Sequence, residues 1–367
     1  MTQAPPVELS VIIPAYNESV SLRATIGRLQ RYLDSAFPSW EILIVNDGSR
    51  DDTGALAQAL AAADPRVRVC THPRNFGLGQ AFRTGFAASR GAYVVTLDAD
   101  LSYGPEHIGA MLTRMRETRA KLVLASPYMP GGELTAVPAF RRWLSIGANV
   151  FLRIFARSGV STITGMVRAY DGPFIRSLDL RSLGMDVMPE VIYKTMILRG
   201  RIEEVPGHLD WTEQRALGGT RVSSMKVSRH LFATIVACFV FRPVIFFIVP
   251  GLLILLFALW VNAWTGIHFL RAFGSAAAMA SDDRLTFAMQ VSYGQFPYTF
   301  IVGLLSLMLS MQLIGLGILA LQAKHNFEEL FHLGTTVRRQ LSGEFGRPNN
   351  ATAPQETGPA RDPGASV

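Results

Sequence analysis

Residues 92–100 read AYVVTLDAD, an apolar run that passes directly into two aspartates. Such a run is typical of a strand that is buried on both faces of a parallel sheet. Ligands bind sheets of this kind outside the carboxyl ends of the strands. Asp98 and Asp100 therefore stand where a ligand is expected, although an isolated Asp-x-Asp pair also occurs by chance in many proteins.

Three more short apolar segments precede this strand and alternate with helical patterns. The expected strands are 9–14, 41–45 and 67–70, and the expected helices are 19–34, 53–63 and 79–89. Strict alternation predicts crossover units and a parallel sheet with helices on both faces. Polar residues also follow the first two strands, at Asn17, Glu18 and Asp47. The sequence therefore predicts an α/β fold with an acidic edge.

The C-terminal part of the chain is much more apolar. Residues 243–264 and 296–323 contain no charged side chain, and each segment is long enough to cross a bilayer, which takes about 20 residues. Aromatic residues lie near the ends of both segments, and positive charges flank the pair. This pattern predicts a two-helix hairpin with both ends in the cytoplasm. The N-terminus, MTQAPPVELS, lacks the pattern of a signal peptide, which agrees with that orientation.

Two further segments have distinctive compositions. Residues 224–241 mix apolar side chains with Lys226, Arg229 and His230. This mixture predicts an amphipathic helix on the membrane surface, and a plain connector helix is the alternative. From Asn349 onward the tail is rich in Pro, Ala, Gly and polar residues, which predicts disorder.

The composition excludes several classes of protein. Charged residues make up 17% of the chain, against about 25% in soluble proteins. The net charge of +7 suits an anionic lipid surface, whereas no basic run with interleaved aromatics indicates nucleic acid. Two cysteines exclude a disulfide framework and fit a reducing compartment, and the seven histidines show no metal-ligand spacing.

The segments SVIIPAYNES, EILIVNDGSRDDT, RNFGLGQAFRTG and YVVTLDADLSYGPEHI occur in the order and spacing of family 2 glycosyltransferases with the GT-A fold. Over about residues 8–226 the chain resembles polyprenyl-phosphate glycosyltransferases of the dolichol-phosphate-mannose synthase type. The resemblance implies inverting, metal-dependent transfer of a sugar from a nucleotide-sugar donor to a polyprenyl (dolichyl or undecaprenyl) phosphate. The sequence patterns and the resemblance together predict four parts: a GT-A domain at 1–222, an amphipathic interfacial helix at 223–242, a two-helix transmembrane hairpin at 243–325 and a cytoplasmic tail at 326–367 that is disordered at its end.

The resemblance also assigns residues to the donor and to a metal ion. The implied donor-binding residues are Pro14, Tyr16, Asn17, Glu18, Asp47, Asn75, Gly77, Gly79, Asp98 and Ala99. The implied metal-binding residues are Asp98, Asp100 and Ser102, the last of which replaces another polar ligand of many relatives. Mg²⁺ or Mn²⁺ is the implied cofactor, because these ions take one or two carboxylates together with substrate phosphates. The metal would act as a Lewis acid on the departing diphosphate.

Basic and hydroxyl residues are implied at the acceptor phosphate, because Arg side chains hold a dianion well. The candidates are Arg141, Ser145, Arg168, Arg215, Arg221 and Ser223. Arg221 is favoured over Arg215 as the loop arginine because Ser223, Ser224 and Lys226 follow it.

The catalytic candidates are Asp100, Asp186 and Glu190. For the last two, a helix-capping or surface role is the alternative. One departure from the family pattern is Pro127, which stands where relatives commonly carry a phosphate-binding Arg. This departure leaves the acceptor in doubt.

Two other interpretations stay open. One is a membrane glycosyltransferase with a different acceptor, such as a polysaccharide; a processive synthase normally carries Gln-x-x-Arg-Trp, which is absent around Gln214. The other is a catalytically silent membrane scaffold, against which Asp98 and Asp100 argue. The expected partners are the nucleotide sugar, the lipid phosphate and the membrane, and the transmembrane helices are a possible surface for homo-oligomers.

Overall fold

The computed structural model describes residues 7–100, 102–136, 160–212, 244–275 and 283–341. The first half contains β1 (Leu9–Ala15), α1 (Leu22–Ala36), β2 (Trp40–Asn46), α2 (Thr53–Ala63), β3 (Val67–Thr71), α3 (Leu78–Ala88), β4 (Tyr93–Thr96) and α4 (Glu106–Thr118). The rest of the α/β domain contains β5 (Leu122–Ser126), β6 (Glu133–Thr135), β7 (Arg168–Asp171), α5 (Gly172–Ser177), α6 (Val187–Ile197), β8 (Ile202–Pro206) and β9 (His208–Asp210). A π-helical turn (Val244–Ile248) then leads into α7 (Val249–Phe273), α8 (Arg284–Gln295) and α9 (Pro297–Leu341).

The main sheet has seven strands in the order β3-β2-β1-β4-β7-β5-β8. Strands β3, β2, β1 and β4 are parallel to one another, with Val11 opposite both Ile42 and Val95. The chain moves outward from β1 in one direction to β2 and β3, and then returns to the other side for β4. This reversal opens a crevice between neighbouring βα turns at the carboxyl edge of the sheet. The mostly parallel fold that the sequence predicted is confirmed.

Apolar runs became central strands because both faces of the sheet are covered. Val11 and Ile13 of β1 pack into a core with α1 and α4, whereas Ile12 packs into a second core with Phe82 of α3. All three β1 side chains have no exposed surface. Burial on both faces explains why the strand reads as a continuous apolar run rather than as an alternating one.

One strand of the main sheet runs against the others. β7 lies between β4 and β5 and is antiparallel to both. A separate pair, β6 and β9, extends the fold beyond β5 and β8. The backbone N–H of Asp210, at the end of β9, donates to the carbonyl of Ser102 at 2.8 Å. This small sheet therefore supports the turn that follows β4.

Two helices are long and apolar enough to cross a membrane: 244–273 and 297–337. Their large apolar side chains are mostly exposed, as at Leu256 (65%) and Leu319 (62%). A core helix of a soluble protein would bury such residues, so this exposure favours contact with lipid. The Asn262 side chain on α7 donates to the carbonyl of Gly303 on α9 at 3.1 Å, which joins the two helices.

The hairpin differs from its sequence-based outline. A third helix, α8, lies between the two long helices, and α9 continues without interruption past the expected boundary at residue 325 as far as Leu341. The expected amphipathic helix at 223–242 and the tail from Asn349 lie outside the described residues.

Candidate active site

The turn after β2 is built around the buried side chain of Asp47, which is 4% exposed. Its carboxylate accepts hydrogen bonds from the backbone N–H groups of Phe76 at 3.0 Å and Gly77 at 2.8 Å. His72 Nδ1 lies 2.7 Å from the same carboxylate, and His72 Nε2 lies 2.8 Å from the Thr84 hydroxyl. The Asp47 side chain thus joins the end of β2 to the turn that precedes α3.

The turn after β1 is bonded directly to the turn after β2. The Asn17 side-chain oxygen accepts from the backbone N–H of Arg50 at 2.9 Å, and the Asn17 N–H donates to the Ser49 hydroxyl at 3.1 Å. Asn17 has a φ of +57°, a left-handed conformation that Asn adopts more easily than most residues. The Glu18 N–H donates to the Thr53 hydroxyl at 2.8 Å. Pro14 and Tyr16, at the same strand end, are half-buried.

Asp51 connects these two turns as well. Its carboxylate accepts from the N–H of Ser19 at 3.3 Å and from both the N–H and the hydroxyl of Thr53, at 3.1 and 2.5 Å. Slight burial raises the pKa of Asp51, but the hydrogen bonds from Thr53 and Ser19 outweigh this effect and lower the pKa to about 2. Asp51 therefore stays ionised at neutral pH as an anchor for the start of α1.

The turn after β4 presents Asp98 and Asp100, which are both partly exposed, on either side of the buried Ala99. The carbonyl of Ala99 accepts a hydrogen bond from the Thr25 hydroxyl of α1 at 2.6 Å. Ser102 donates to Asp100 Oδ1 from both its hydroxyl, at 2.6 Å, and its N–H, at 3.1 Å. Ser102 therefore orients the Asp100 carboxylate.

Asp98 lies close to a buried tyrosine. Burial, and next the negative charge of Asp98, raise the pKa of Tyr103. The Tyr103 ring is 6% exposed and packs edge-on against His107. The aromatic side chains of Tyr103 and His107 thus lie next to the acidic turn on its buried side.

Gly77 and Gly79 are required by contact with another part of the chain. A Cβ at Gly77 (φ +101°) would lie 2.5 Å from the carbonyl oxygen of Leu183, and one at Gly79 would lie 2.3 Å from that of Ser182. The Gly79 N–H also donates to the Leu183 carbonyl at 2.8 Å. The resemblance implied that these glycines let the backbone approach the donor; in the structure they let segment 182–184 approach α3. Asn75 is exposed on the same turn.

Glu190 is part of a buried ion pair rather than a free acid. Its carboxylate accepts from the backbone N–H groups of Arg181 and Ser182, both at 2.9 Å, and from Lys194 Nζ at 2.6 Å. Partial burial raises the pKa of Glu190, but the hydrogen bonds from Lys194 and the two amides outweigh it and lower the pKa. The expected catalytic contact does not fit this environment, because these three donors already occupy the carboxylate.

Asp186 lies at the start of α6 and is partly exposed. Its side chain makes no capping hydrogen bond to the helix and instead accepts from the backbone N–H of Gly184 at 3.1 Å. Asp186 therefore borders the segment that packs on Gly77 and Gly79.

Arg168 is completely buried, which corrects its expected role at the acceptor phosphate. Its guanidinium donates to the carbonyls of Gly165 at 2.7 Å, Ile163 at 2.6 Å and Met188 at 2.8 Å. With no exposed surface and its donors directed at main-chain oxygens, Arg168 joins β7 to α6 instead of facing a substrate. The other expected phosphate contacts lie outside the described residues: Arg141, Ser145, Arg215, Arg221 and Ser223.

Sequence reasoning missed three residues that shape this edge: His72, Asp51 and Lys194. His72 acts through a partner 25 residues away in the chain, and such a pairing leaves no local signal. Lys194 had a signal, because it stands four residues after Glu190 on the same helix, the spacing at which opposite charges pair. Asp51 had a signal, because it stands two residues before Thr53, at the start of a predicted helix.

A mostly parallel sheet that carries acidic turns at one edge, with Asp98 and Asp100 after its central strand, has the architecture of a GT-A domain. Residues 10–175 match the family model of glycosyl transferase family 2. This chain belongs to that family and is a glycosyltransferase.

Two curated relatives are similar over most of their own length. The undecaprenyl-phosphate mannosyltransferase of Micrococcus luteus is 37% identical over 218 residues, which cover 58% of this chain and 86% of that protein. The polyprenol monophosphomannose synthase of Mycolicibacterium smegmatis is 35% identical over 238 residues, covering 63% of this chain and 87% of that protein. Among solved structures, the glucosyl-3-phosphoglycerate synthase of Mycobacterium tuberculosis is 21% identical with a TM-score of 0.48, over 63% of this chain and 80% of that chain.

Proposed function

We propose that this enzyme transfers a mannosyl group from a nucleotide-sugar donor to a polyprenyl phosphate. The observation that carries the proposal is the similarity to two enzymes named for mannosyl transfer to undecaprenyl phosphate or polyprenol, over at least 86% of their length. The acidic turns at one sheet edge and the two long apolar helices suit a phosphorylated donor and a lipid acceptor.

Asp98 and Asp100 are the residues that would hold a divalent cation. Their chemistry fits Mg²⁺ or Mn²⁺, which bind one or two carboxylates and complete their shell with substrate phosphates and water. Among the described parts of the chain, no group of three His, Cys, Asp or Glu side chains forms a complete metal cage, and an ion held jointly with the donor requires none. When bound, the cation supplies Lewis-acid stabilisation of the departing diphosphate.

The side chains at this edge hold and orient the substrates. Ser102 fixes the Asp100 carboxylate, and Asp47 fixes the Gly77 turn beside the expected donor position. The acceptor phosphate is already ionised at neutral pH, so its oxygen needs no strong general base to attack the anomeric carbon. We assign direct contact near the acceptor to Asp186 rather than Glu190, because Glu190 is engaged by Lys194.

The membrane hairpin places the acceptor within reach. We propose that α7 and α9 span the bilayer and that the catalytic domain lies on the cytoplasmic side, supported by the positive flanks of the hairpin. The side chains of Phe246, before α7, and Phe331, on α9, pack against the core of the catalytic domain, which keeps that domain beside the membrane.

The test is transfer of label into lipid. Membranes containing the full chain are incubated with radiolabelled nucleotide sugars that carry mannose, glucose or N-acetylglucosamine, and the organic phase is counted. We expect mannose label in the lipid fraction of the wild type and none with Asp100→Asn. Label from another sugar would overturn the mannosyl assignment, and label that enters only water-soluble glycan would overturn the lipid acceptor.

One observation favours a second candidate, a glycan acceptor. Pro127 follows β5 where the resemblance led us to expect a phosphate-binding Arg, and a Pro offers no charge to a lipid phosphate. The same assay with separate counting of the aqueous glycan distinguishes the two acceptors.

A further inference from the structure

Helix α9 extends far beyond its apolar part. Its first charged residue is Lys324, and the helix continues to Leu341. At about 1.5 Å per residue, the segment from 324 to 341 is about 27 Å long. This extension, here called the docking segment (324–341), reaches the catalytic domain.

The docking segment packs on α6 of the catalytic domain. The Tyr193 hydroxyl donates to the Glu328 carboxylate at 3.0 Å, and the rings of Tyr193 and Phe327 stack with their centroids 6.5 Å apart. Burial, followed by the charge of Glu328, raises the pKa of Tyr193, so the hydroxyl keeps its proton and remains a donor. Phe331 packs against the core that contains α6.

Phe331 also covers the Lys194–Glu190 ion pair. Lys194 Nζ lies 5.1 Å from the centroid of the Phe331 ring, within cation–π distance. The side chains of Lys194 and Glu190 are only 6% and 14% exposed. Lys194 Nζ also donates to the carbonyl of Asp179. Water excluded by the Phe331 ring would otherwise compete for these charges, because hydration weakens an ion pair.

The ion pair in turn fixes the segment that touches the donor edge. Glu190 accepts from the N–H groups of Arg181 and Ser182. The next two residues pack on the start of α3, where the carbonyl of Leu183 accepts from the N–H of Gly79. Gly77, in the same turn, donates to Asp47. A continuous series of contacts thus runs from the membrane helix to the acidic edge.

We propose that Phe331, Lys194 and Glu190 are positioning residues through which the docking segment holds residues 181–184 in the arrangement that the sugar transfer needs. The membrane hairpin would then be part of the active-site architecture as well as an anchor. This inference rests on the proposed placement of the donor at this edge, and it is independent of which sugar or lipid is used.

The test compares Phe331→Ala with Leu330→Ala in the full chain in detergent. Leu330 is the preceding residue on α9 and is 69% exposed, so its loss removes a similar apolar side chain that does not cover the ion pair. We expect Phe331→Ala to raise the KM for the donor or lower kcat by about tenfold or more, and Phe331→Leu to restore most of the loss. Leu330→Ala should match the wild type.

Amide hydrogen exchange supplies a readout that needs no substrate. In Phe331→Ala, the amides of Arg181 and Ser182 should exchange at least tenfold faster, while amides of β1 and β2 keep their protection. Lys194→Met should accelerate exchange at the same two amides. If exchange and kinetics are unchanged in Phe331→Ala, the inference is wrong. If exchange accelerates but the wild type transfers no sugar, the proposed function fails and the structural coupling stands.

The same exchange measurement distinguishes a variant that does not fold from one that is only locally changed. General loss of protection in β1 and β2 identifies global unfolding, and Tyr193→Phe then takes the place of Phe331→Ala. This change removes only the hydroxyl that bonds Glu328, and a smaller but local acceleration at 181–182 is expected. Exchange equal to the wild type in Tyr193→Phe would overturn the inference.

Discussion

Asp47 and Asp100 both follow strands of the same parallel sheet, yet their surroundings differ. The Asp47 carboxylate is 4% exposed and is held by groups 25 to 30 residues away, namely His72, Phe76 and Gly77. The Asp100 carboxylate remains partly exposed and is oriented by Ser102, two residues along its own turn. The first carboxylate joins distant parts of the chain, whereas the second is presented at the edge.

The difference teaches that equal positions in a fold do not imply equal roles. A buried carboxylate that accepts several N–H groups stabilises the fold, and its loss leaves those donors unsatisfied. A carboxylate held by its own turn keeps its orientation and stays partly exposed. We therefore expect changes at Asp47 to reduce stability and changes at Asp100 to reduce chemistry.

The largest expected effect is on catalysis by Asp100→Asn. This substitution keeps the size of the side chain and its bond from Ser102 but removes the charge that a divalent cation needs. We expect kcat to fall about a thousandfold, with the melting temperature unchanged, as measured by label transfer and thermal unfolding in detergent. The matched control is Asp34→Asn, which changes a carboxylate in the last turn of α1 and should transfer label normally. A fully active Asp100→Asn enzyme would contradict the assignment.

Asp47→Asn should affect stability first. An amide has only one acceptor oxygen, so one of the N–H groups of Phe76 and Gly77 would face an NH₂ group. We expect the free energy of unfolding to fall by about 2 kcal/mol, as measured by chemical denaturation. Asp52→Asn changes an exposed carboxylate that makes no capping bond and should change stability little. If the Asp47 and Asp52 variants were equally stable, the structural role assigned to Asp47, in contrast to Asp100, would be wrong.

Ser102→Ala sharpens the comparison within the acidic turn. It removes the hydroxyl that orients Asp100 but leaves both carboxylates in place. We expect kcat to fall about tenfold, since catalysis is sensitive to small misplacements of charged groups. Steady-state kinetics with varied metal concentration measure the effect, and the required metal concentration should rise in parallel. Unchanged kinetics would show that the turn backbone alone orients Asp100.

The smallest expected effect is the pH dependence contributed by Asp51. Its pKa is lowered from 3.8 to about 2 in the folded chain. A depressed pKa stabilises the fold at pH above about 4, and the contribution is lost as pH falls toward about 2. The difference in melting temperature between wild type and Asp51→Asn should therefore be greatest near neutral pH and shrink below pH 4. A difference that does not change with pH would exclude hydrogen bonding to the ionised carboxylate as its cause.

Much of the first half of the fold could be predicted from the sequence. Strands that are buried on both faces carry a continuous apolar run, such as 11–15 (VIIPA) or 42–45 (ILIV), and each ends in a polar turn. These local patterns predicted β1 to β4 and their helices. The antiparallel strand β7 was not predicted, because a four-residue strand (RAYD) has too short a pattern to indicate its direction or its neighbours.

The interpretation of individual site residues depended much more on the structure. From the sequence, Arg168 resembled a phosphate contact. The structure shows that its guanidinium is buried and donates to three main-chain carbonyl groups, which is a structural role. Glu190 looked like a catalytic acid until Lys194 was found at 2.6 Å. A charged side chain has the same letter in the sequence whether it faces a substrate or an internal partner.

The sequence by itself determined the strand order along the chain, the acidic ends of the strands and the two long apolar helices, because each depends on residues that are near one another in the chain. Only the tertiary structure decided which carboxylates are enclosed and which are presented. It also decided that α9 returns from the hairpin to pack on α6, through Tyr193 and Glu328. That contact joins residues 135 positions apart, and burial and pairing over such distances are set by how the elements pack.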